Sequence, residues 1–582
     1  LIGQQAAPDD GGLESVWIAS ILGVSVSYAV NRFVTTDPLE NPLYYLENFR
    51  QALDWVARRY DDLLDEQERR FIEEFARLPE PSQGLLVRMI MRKGTLFRAS
   101  KLEYAELGDT LLAVQPLLAN GWVDGQAEIS LEQLFGLLRK DELSVCFREQ
   151  GVKASEKKAA LLARLQPQYP LTRPWAQWYP ECTDPLFSLQ IMAISDRLRL
   201  LYFGNLYQDW SEFVLADLGV YRYEKVEFSL ESRGINERAD IDTCMRLHAC
   251  RQALEEGAEL SLLAQHACAI ESRNPWLQMR RAKLLFQLGQ QAERLKDWPL
   301  ALELYAACEY PGARSRHIRV LELNGDHAQA MALVELVRAE PRSDAELQHL
   351  VRVLPRLQRA LGLPVERRRA VRDVIRLDLS VVPQADLSVE QLIQLHLHEE
   401  GAQVHYVENA LINSLFGLLC WQAVFAPLPG AFFHPFHSGP SDLHSPDFYP
   451  RRAELFDACL AQLDSEAYKD TIREHFVSKA GLQSPFVYWG VLSAELLEQA
   501  LYCLPAEHLR HWFRRLLLDI KANRAGMPDL IQFFPEQRSY RMIEVKGPGD
   551  RLQDNQLRWL DFCAEHGMPV VVCYVQWQAL ES

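Results

Sequence analysis

The stretch Gly526-Met527-Pro528-Asp529-Leu530-Ile531-Gln532-Phe533-Phe534 leads through a polar bridge, residues 535–539, into Tyr540-Arg541-Met542-Ile543-Glu544-Val545-Lys546. A Gly/Pro turn, an apolar run, a short polar break and a second apolar run predict a β-hairpin. Side chains alternate along a strand, so Glu544 and Lys546 project from one face. Antiparallel pairing can set Asp529 opposite that face. Two carboxylates and an amine then converge on one point. Carboxylate oxygens suit a divalent cation such as Mg²⁺ or Mn²⁺. Such an ion activates water and offsets charge developing on a phosphate. A lysine beside it can orient or deprotonate that water. An Asp…Glu-x-Lys pattern alone is weak, because Glu-x-Lys recurs on exposed strands.

The residues that follow strengthen it. Gly547-Pro548-Gly549-Asp550 ends the strand, Leu552, Leu557, Leu560 and Phe562 form the apolar side of a predicted helix, and 569–575 reads as a buried strand. In this order the segment resembles the virus-type replication-repair nuclease domain, a branch of the PD-(D/E)xK nucleases. The matching residues are Met527-Pro528-Asp529, Ile543 to Asp550, Gln556 and Trp559. The resemblance implies an α/β restriction-endonuclease-like fold with Asp529, Glu544, Lys546 and Gln556 at the reaction centre. Metal would be held by Asp529, Glu544 and the Val545 carbonyl. Upstream, 400–408 and Leu415-Phe416-Gly417-Leu418-Leu419 resemble the family's first helix, where a glutamate completes the metal site. Glu408 is chosen over Glu399 and Glu400 because it is expected to begin the apolar helix.

The chain has 582 residues, 48% hydrophobic and 24% charged, and a formal net charge of −17. That length implies several domains, and the balance is that of a globular protein. The overall acidity argues mildly against nucleic-acid binding, so a DNA-binding reading needs local basic surface. The 11 cysteines form no Cys-x-x-Cys pair and read as reduced core residues of a cytosolic protein. Cys244, His248 and Cys250 fit no zinc spacing and read as helix packing. Residues 15–31 are uncharged and largely apolar, yet short for a membrane span and preceded by acidic residues. Residues 1–38 are left as an unassigned or non-native segment.

Residues 39–127 show helical periodicity and a basic stretch, Arg88, Arg92, Lys93, Arg98 and Lys101, that could track phosphates. The competing reading is a solvated helix face. Residues 128–166 resemble a SAP module on Leu143, Cys146, Phe147, Gly151, Lys157-Lys158, Leu161-Leu162 and Arg164-Leu165. Ser155 is the expected cap of its second helix, where Lys153, Lys157 and Lys158 would hold a phosphate. Residues 167–239, rich in Pro and Trp, read as an irregular connector, and the His-rich stretch 434–444 as a flexible loop near DNA. Residues 240–386 repeat weakly. Lys296-Asp297-Trp298-Pro299-Leu300-Ala301-Leu302 aligns with Gly325-Asp326-His327-Ala328-Gln329-Ala330-Met331, similar to degenerate tetratricopeptide repeats. The nuclease domain is expected over 387–582.

The fold class expected is therefore multidomain and mostly α: a helical N-terminal region, a SAP-like module and TPR-like helical repeats, followed by an α/β PD-(D/E)xK nuclease domain. This order resembles the Fanconi-associated nuclease family, in a bacterial-type form. The resemblance implies a structure-selective DNA nuclease that cuts 5′-flapped or branched DNA, degrades 5′ to 3′ and acts in interstrand crosslink repair. It implies Mg²⁺ or Mn²⁺ as cofactor, branched DNA as partner, repair proteins as partners of the repeats, no membrane, and a cytoplasmic, nucleoid-associated location. Competing readings are a four-way-junction resolvase of the same fold, a restriction-type enzyme with sequence preference, and a non-catalytic repeat scaffold.

Overall fold

A computed structural model describes residues 41–152, 156–210, 221–365, 375–384 and 386–578. Helices Tyr44–Tyr60, Glu66–Arg77 and Glu80–Ile90 open the described chain. The first buries Tyr45, Phe49, Ala52, Leu53 and Val56, spaced three or four apart, so one stripe meets the core. Asp65 starts the second helix through a capping box with Glu68. Glu68 is fully buried and also pairs with Arg197 and Arg238, so one cap locks three segments. Strands β1 (Leu96–Arg98), β2 (Val123–Asp124) and β5 (Leu186–Leu189) form a small antiparallel sheet in the order β1-β5-β2.

β5 corrects the expectation of an irregular connector over 167–239. Helix Met192–Phe203, in the same segment, packs on Tyr44–Tyr60 and buries Leu198, Leu201 and Phe203. The prolines hid these elements because they mark turns without revealing what lies between them. The module after the N-terminal helices holds β3 (Glu128–Ile129), β4 (Arg173–Pro174) and helices Leu131–Leu137, Lys140–Cys146 and Lys158–Leu165. Its core, Leu134, Phe135, Leu143, Phe147, Leu161 and Leu165, also takes in Trp175 and Trp178. Trp178 Nε1 donates to the Ile129 carbonyl at 2.9 Å, so this module extends beyond residue 166.

Helices Arg238–Glu255, Leu260–Cys268, Pro275–Leu295, Trp298–Ala306, Ala313–Asn324, His327–Ala339 and Asp344–Ala360 follow, each packed on the next. The two aligned sequence stretches fall on equivalent turns. Lys296 and Gly325 end their helices with φ of 60° and 86°, and an aspartate then opens the next helix. A left-handed helix-ending residue followed by an aspartate at the next N-cap position turns the chain back on itself; the Asp297 side chain accepts the Leu300 N–H, while Asp326 holds the position without a side-chain cap bond.

The C-terminal sheet contains β6 (Ile375–Val381), β7 (Val404–Tyr406), β8 (Leu530–Phe534), β9 (Ser539–Lys546) and β10 (Val570–Trp577) in the order β6-β10-β9-β8-β7. β6, β10 and β9 are parallel, while β8 is antiparallel to β9 and β7. Helix Val389–Leu397 covers the face bearing Val404, Leu530, Ile543 and Val571. Helices Leu411–Leu419, Ala506–Leu518 and Asp554–Glu565 cover the face bearing Ile531, Met542 and Val572.

Three expectations change here. The sheet begins at Ile375, inside the stretch assigned to repeats, because β6 pairs with the distant β10 and gives no local hairpin signal. Glu408 does not begin a helix. It sits on a turn, and the helix starts at Leu411. His434 is 2% exposed and stacks on Tyr202, and Phe433 joins the N-terminal core, so this part of the His-rich stretch is a buried connector. Burial also drives both the His434 and His437 pKa values down, keeping the rings neutral.

Arg98 is largely covered and fully paired. Its Nε donates to Asp184 at 2.8 Å and its Nη1 lies 2.5 Å from Glu142, tying the small sheet to the three-helix module. Arg98→Ala removes one donor from each of two largely buried carboxylates, which keep their donors from Ser100 and Arg139, and should destabilise the protein by about 2 kcal/mol. Lys93→Ala, at an exposed position, should leave thermal unfolding unchanged. Equal melting curves for the two variants would refute the structural role of Arg98.

Candidate active site

The site is assembled by two turns stitched together. Gly526 has φ +90°, and a Cβ there would lie 2.7 Å from Asn555 Nδ2, so both conformation and space demand glycine. Trp559 Nε1 donates to the Ala525 carbonyl at 3.2 Å, clamping helix Asp554–Glu565 onto this turn. Asn409, at φ 52°, accepts the Met527 N–H at 3.1 Å. The N–H groups of Val407 and Glu408 both donate to the Asp529 carbonyl, at 2.9 and 3.1 Å. Asp529 and Glu408 are thus held side by side through their backbones.

The strand register completes the placement. Leu530 pairs with Ile543 and Ile531 with Met542, which sets Asp529 opposite Glu544. Val545 N–H donates to Asp529 Oδ2 at 2.8 Å, fixing that carboxylate across the hairpin. Lys546 Nζ lies 2.6 Å from Glu544 Oε1. Asp529, Glu544 and Lys546 are 9%, 1% and 8% exposed. The hairpin therefore brings together the three groups that the sequence grouped.

Electrostatics show strain in this arrangement. Burial, then the charges of Glu408 and Glu390, push the Asp529 carboxyl up to about 6 against the Val545 N–H and Lys546. Burial, then the Asp529 charge, push Glu544 up to about 7. Glu544 Oε2 meets no hydrogen-bond donor among the described residues. An orphaned buried carboxylate oxygen next to a second carboxylate is a donor set short of a cation. Oxygen donors of this kind fit a hard divalent ion.

Glu408 stands beside this pair, its charge acting on both carboxyls, and its own carboxylate is held by two neighbours. Its Oε2 accepts the Tyr406 hydroxyl and its Oε1 accepts Asn409 Nδ2 at 3.2 Å. Consistently, no three His, Cys, Asp or Glu side chains form a ready metal cluster among the described residues. Gln556 is occupied locally, since its Oε1 accepts the Gln553 N–H at 2.9 Å and caps the helix. Glu390 was missed from sequence. It sits in the first turn of helix Val389–Leu397, whose Ser388 capping box was a readable signal.

The expected DNA-facing cations divide. Arg88 pairs with Glu106 at 2.6 Å, with its guanidinium 3.9 Å from the Tyr45 ring centre, and Arg98 pairs with Glu142 and Asp184, so both are engaged within the protein. Arg92 donates to the Lys101 carbonyl. Lys93, Lys101 and Lys157 are exposed, and Lys157 is the first residue before helix Lys158–Leu165. Lys158 Nζ donates to the Leu138 carbonyl at 2.8 Å. Lys153 and Ser155 lie outside the described residues.

The raised carboxyl values predict a pH signature in metal-free protein. An unfolded Asp titrates at about 3.9. With a folded value of about 6, the native state holds its proton more tightly. The associated stability is therefore full below about pH 4 and is lost as pH rises through about 6. Asp529→Asn keeps an acceptor for Val545 N–H and removes the charge. Its melting temperature should exceed that of the wild type at pH 8, with the gap closing by pH 4 in chelator. A gap that does not vary with pH would contradict the buried-charge account.

Comparison with known proteins agrees with this geometry. Residues 463–577 match the VRR-NUC domain, 43–124 the FAN1 HTH domain and 128–178 the Fanconi anemia-associated nuclease SAP domain. The chain is similar to a Fanconi-associated nuclease 1 homolog of Pseudomonas aeruginosa, 60% identical over 545 residues, covering 94% of this chain and 98% of that protein. It is 24% identical to the Danio rerio Fanconi-associated nuclease 1 over 646 residues, covering 91% of this chain and 64% of that protein, so it spans roughly two thirds of that longer relative. A crystal structure of paFAN1 bound to 2-nucleotide 5′-flap DNA with a gap matches with a TM-score of 0.87 at 60% identity, covering 93% of this chain and 99% of that one. The mostly helical architecture with a C-terminal nuclease domain is shared. No helix among the described residues is long and apolar enough to cross a membrane. The chain belongs to the Fanconi-associated nuclease family and is a DNA nuclease, whose VRR-NUC domain implies dependence on a divalent metal.

Proposed function

We propose that this nuclease cuts 5′-flapped and branched DNA, with 5′-to-3′ exonuclease action, in DNA repair that includes interstrand crosslinks. The observation that carries the chemistry is the buried Asp529–Glu544–Lys546 group with an unpartnered Glu544 oxygen. The flap preference is supported by the 60% identity to paFAN1, whose crystal structures hold 5′-flap DNA with flaps of one and two nucleotides. Crosslink repair and 5′-to-3′ polarity are carried over from the family resemblance. Action at the bacterial nucleoid follows from the DNA substrate, and repair proteins would dock on the helical repeats.

Asp529 and Glu544 would hold Mg²⁺ or Mn²⁺, with the Val545 carbonyl and Glu408 as further ligands. When bound, the cation supplies Lewis acidity toward the phosphate and a more acidic water. Lys546 holds the water by its amine and stabilises negative charge as the phosphodiester opens. Val545 N–H keeps Asp529 fixed through the reaction, so little reorganisation accompanies bond breaking. Gln556 sets the helix that closes over the Gly526 turn and acts on the site through that helix. The exposed Lys93, Lys101 and Lys157 would meet phosphates of the duplex arms. Selecting a junction reads how easily DNA bends or opens, with base sequence secondary.

Labelled 5′-flap substrates test the chemistry. Asp529→Ala, Glu544→Ala and Lys546→Ala should each lower cleavage by more than about 100-fold while flap binding persists. Double variants should be little worse than single ones, because the groups act as a unit. Near wild-type turnover in any single variant would remove that residue from the site, and full cleavage in excess chelator would end the metal mechanism. Charge reversal of Lys93, Lys101 and Lys157 tests the DNA surface. Each lost phosphate contact should flatten the salt dependence of binding by about 0.9 in log–log slope. Unchanged slopes would make these lysines a solvated face only.

A further inference from the structure

The geometry points to Tyr406 as a positioning residue for the reaction, one that holds the Glu408 carboxylate ready beside the Asp529–Glu544 pair. This rests on the proposed role of Glu408 in holding the metal.

Tyr406 is the last residue of β7, paired with Leu530, immediately beyond Asp529. The chain then turns, and the Val407 and Glu408 N–H groups fasten onto the Asp529 carbonyl. This fixes the Glu408 backbone but leaves its long side chain free to rotate. A glutamate in such a place has several rotamers open to it, and two neighbouring carboxylates repel it from the site. Two donors choose its position. The Tyr406 hydroxyl binds Oε2, and Asn409 Nδ2 binds Oε1 at the longer distance of 3.2 Å. Asn409 is itself held in a left-handed conformation by its bond from Met527 N–H.

Tyr406 is 41% exposed as a residue, while burial of its hydroxyl and the bonded Glu408 carboxylate both disfavour ionisation, so the hydroxyl stays a donor to Glu408. For the site, the consequence of the contact is the position it gives the Glu408 carboxylate. A carboxylate anchored through one oxygen keeps the other for a cation, the arrangement by which outer hydrogen bonds orient metal ligands. Here Oε2 stays on Tyr406 while Oε1 is released from the weaker Asn409 bond.

Calorimetric titration of the full-length, DNA-free protein with Mn²⁺ tests this without relying on catalysis. Glu408→Ala, Tyr406→Phe and the double variant are compared with wild type, with thermal unfolding as the control for folding. Tyr406→Phe should keep its melting temperature and lose about 10-fold in Mn²⁺ affinity. Glu408→Ala should lose at least as much, and the double variant should be no weaker than Glu408→Ala alone. In cleavage assays the Tyr406→Phe defect should appear in kcat and recover at high Mn²⁺, with KM for the flap unchanged. An unchanged isotherm for Tyr406→Phe, with Glu408→Ala weakened, overturns the tyrosine's role and leaves Glu408 as a ligand. An unchanged isotherm for Glu408→Ala overturns both. Additive losses in the double variant mean that Tyr406 acts apart from Glu408, which also overturns the proposal.

Discussion

The hydrogen bond from Val545 N–H to Asp529 Oδ2 is the contact on which the site depends. A carboxylate at a strand end would ordinarily turn to water. Here a main-chain donor of the neighbouring strand captures it while its own carbonyl receives two N–H groups from the 407–408 turn. The aspartate becomes a joint between β7, β8 and β9. Its placement sets it beside the buried Glu544 carboxylate, and the two repel each other. That repulsion, raised by burial, is a feature a catalytic site keeps and a purely structural core would shed. Lys546 offsets part of it, and one Glu544 oxygen keeps no hydrogen-bond donor among the described residues.

The rest of the chain holds this joint in place. Arg515 reaches Asp344 at 2.9 Å and Arg352 reaches Asp554 at 2.7 Å, so the last repeat helix is pinned to the helices that cover the sheet. Arg558 also bonds Gln348 across the same seam. At the other end, Trp55 Nε1 donates to the Phe433 carbonyl at 3.0 Å, linking the first described helix to the buried His-rich connector. Many arginines are used up in such internal pairs. This is why a basic stretch in the sequence overstates the surface free to meet phosphates.

Local signals made much of this legible. The turn glycine, alternating strands and following helix located the hairpin, and its register does place Asp529 opposite Glu544. The aligned repeat stretches found real turns, because a left-handed cap and an aspartate at the next N-cap position are encoded within a few residues. What escaped depended on distant partners. β6 alternates apolar and charged residues and becomes a strand only by pairing with β10, far along the chain. The His-rich stretch has the composition of a loop but is buried by Tyr202 and Phe203 from an earlier helix. Glu408 was chosen by its family context and as the expected start of a helix, while its turn depends on Asn409 adopting a conformation that sequence does not announce. Tyr406 had no motif at all, and only the fold brings its hydroxyl to a carboxylate two residues away.

The central claim is that this hairpin is a cation site built from buried oxygen donors. Anomalous diffraction from crystals of the protein soaked in Mn²⁺ tests it most directly. The account predicts a manganese peak bridging the Asp529 and Glu544 carboxylates, within ordinary oxygen-ligand distance of about 2.0–2.6 Å. A crystal of active protein at saturating Mn²⁺ with that cleft empty, or with the metal bound elsewhere, would contradict it.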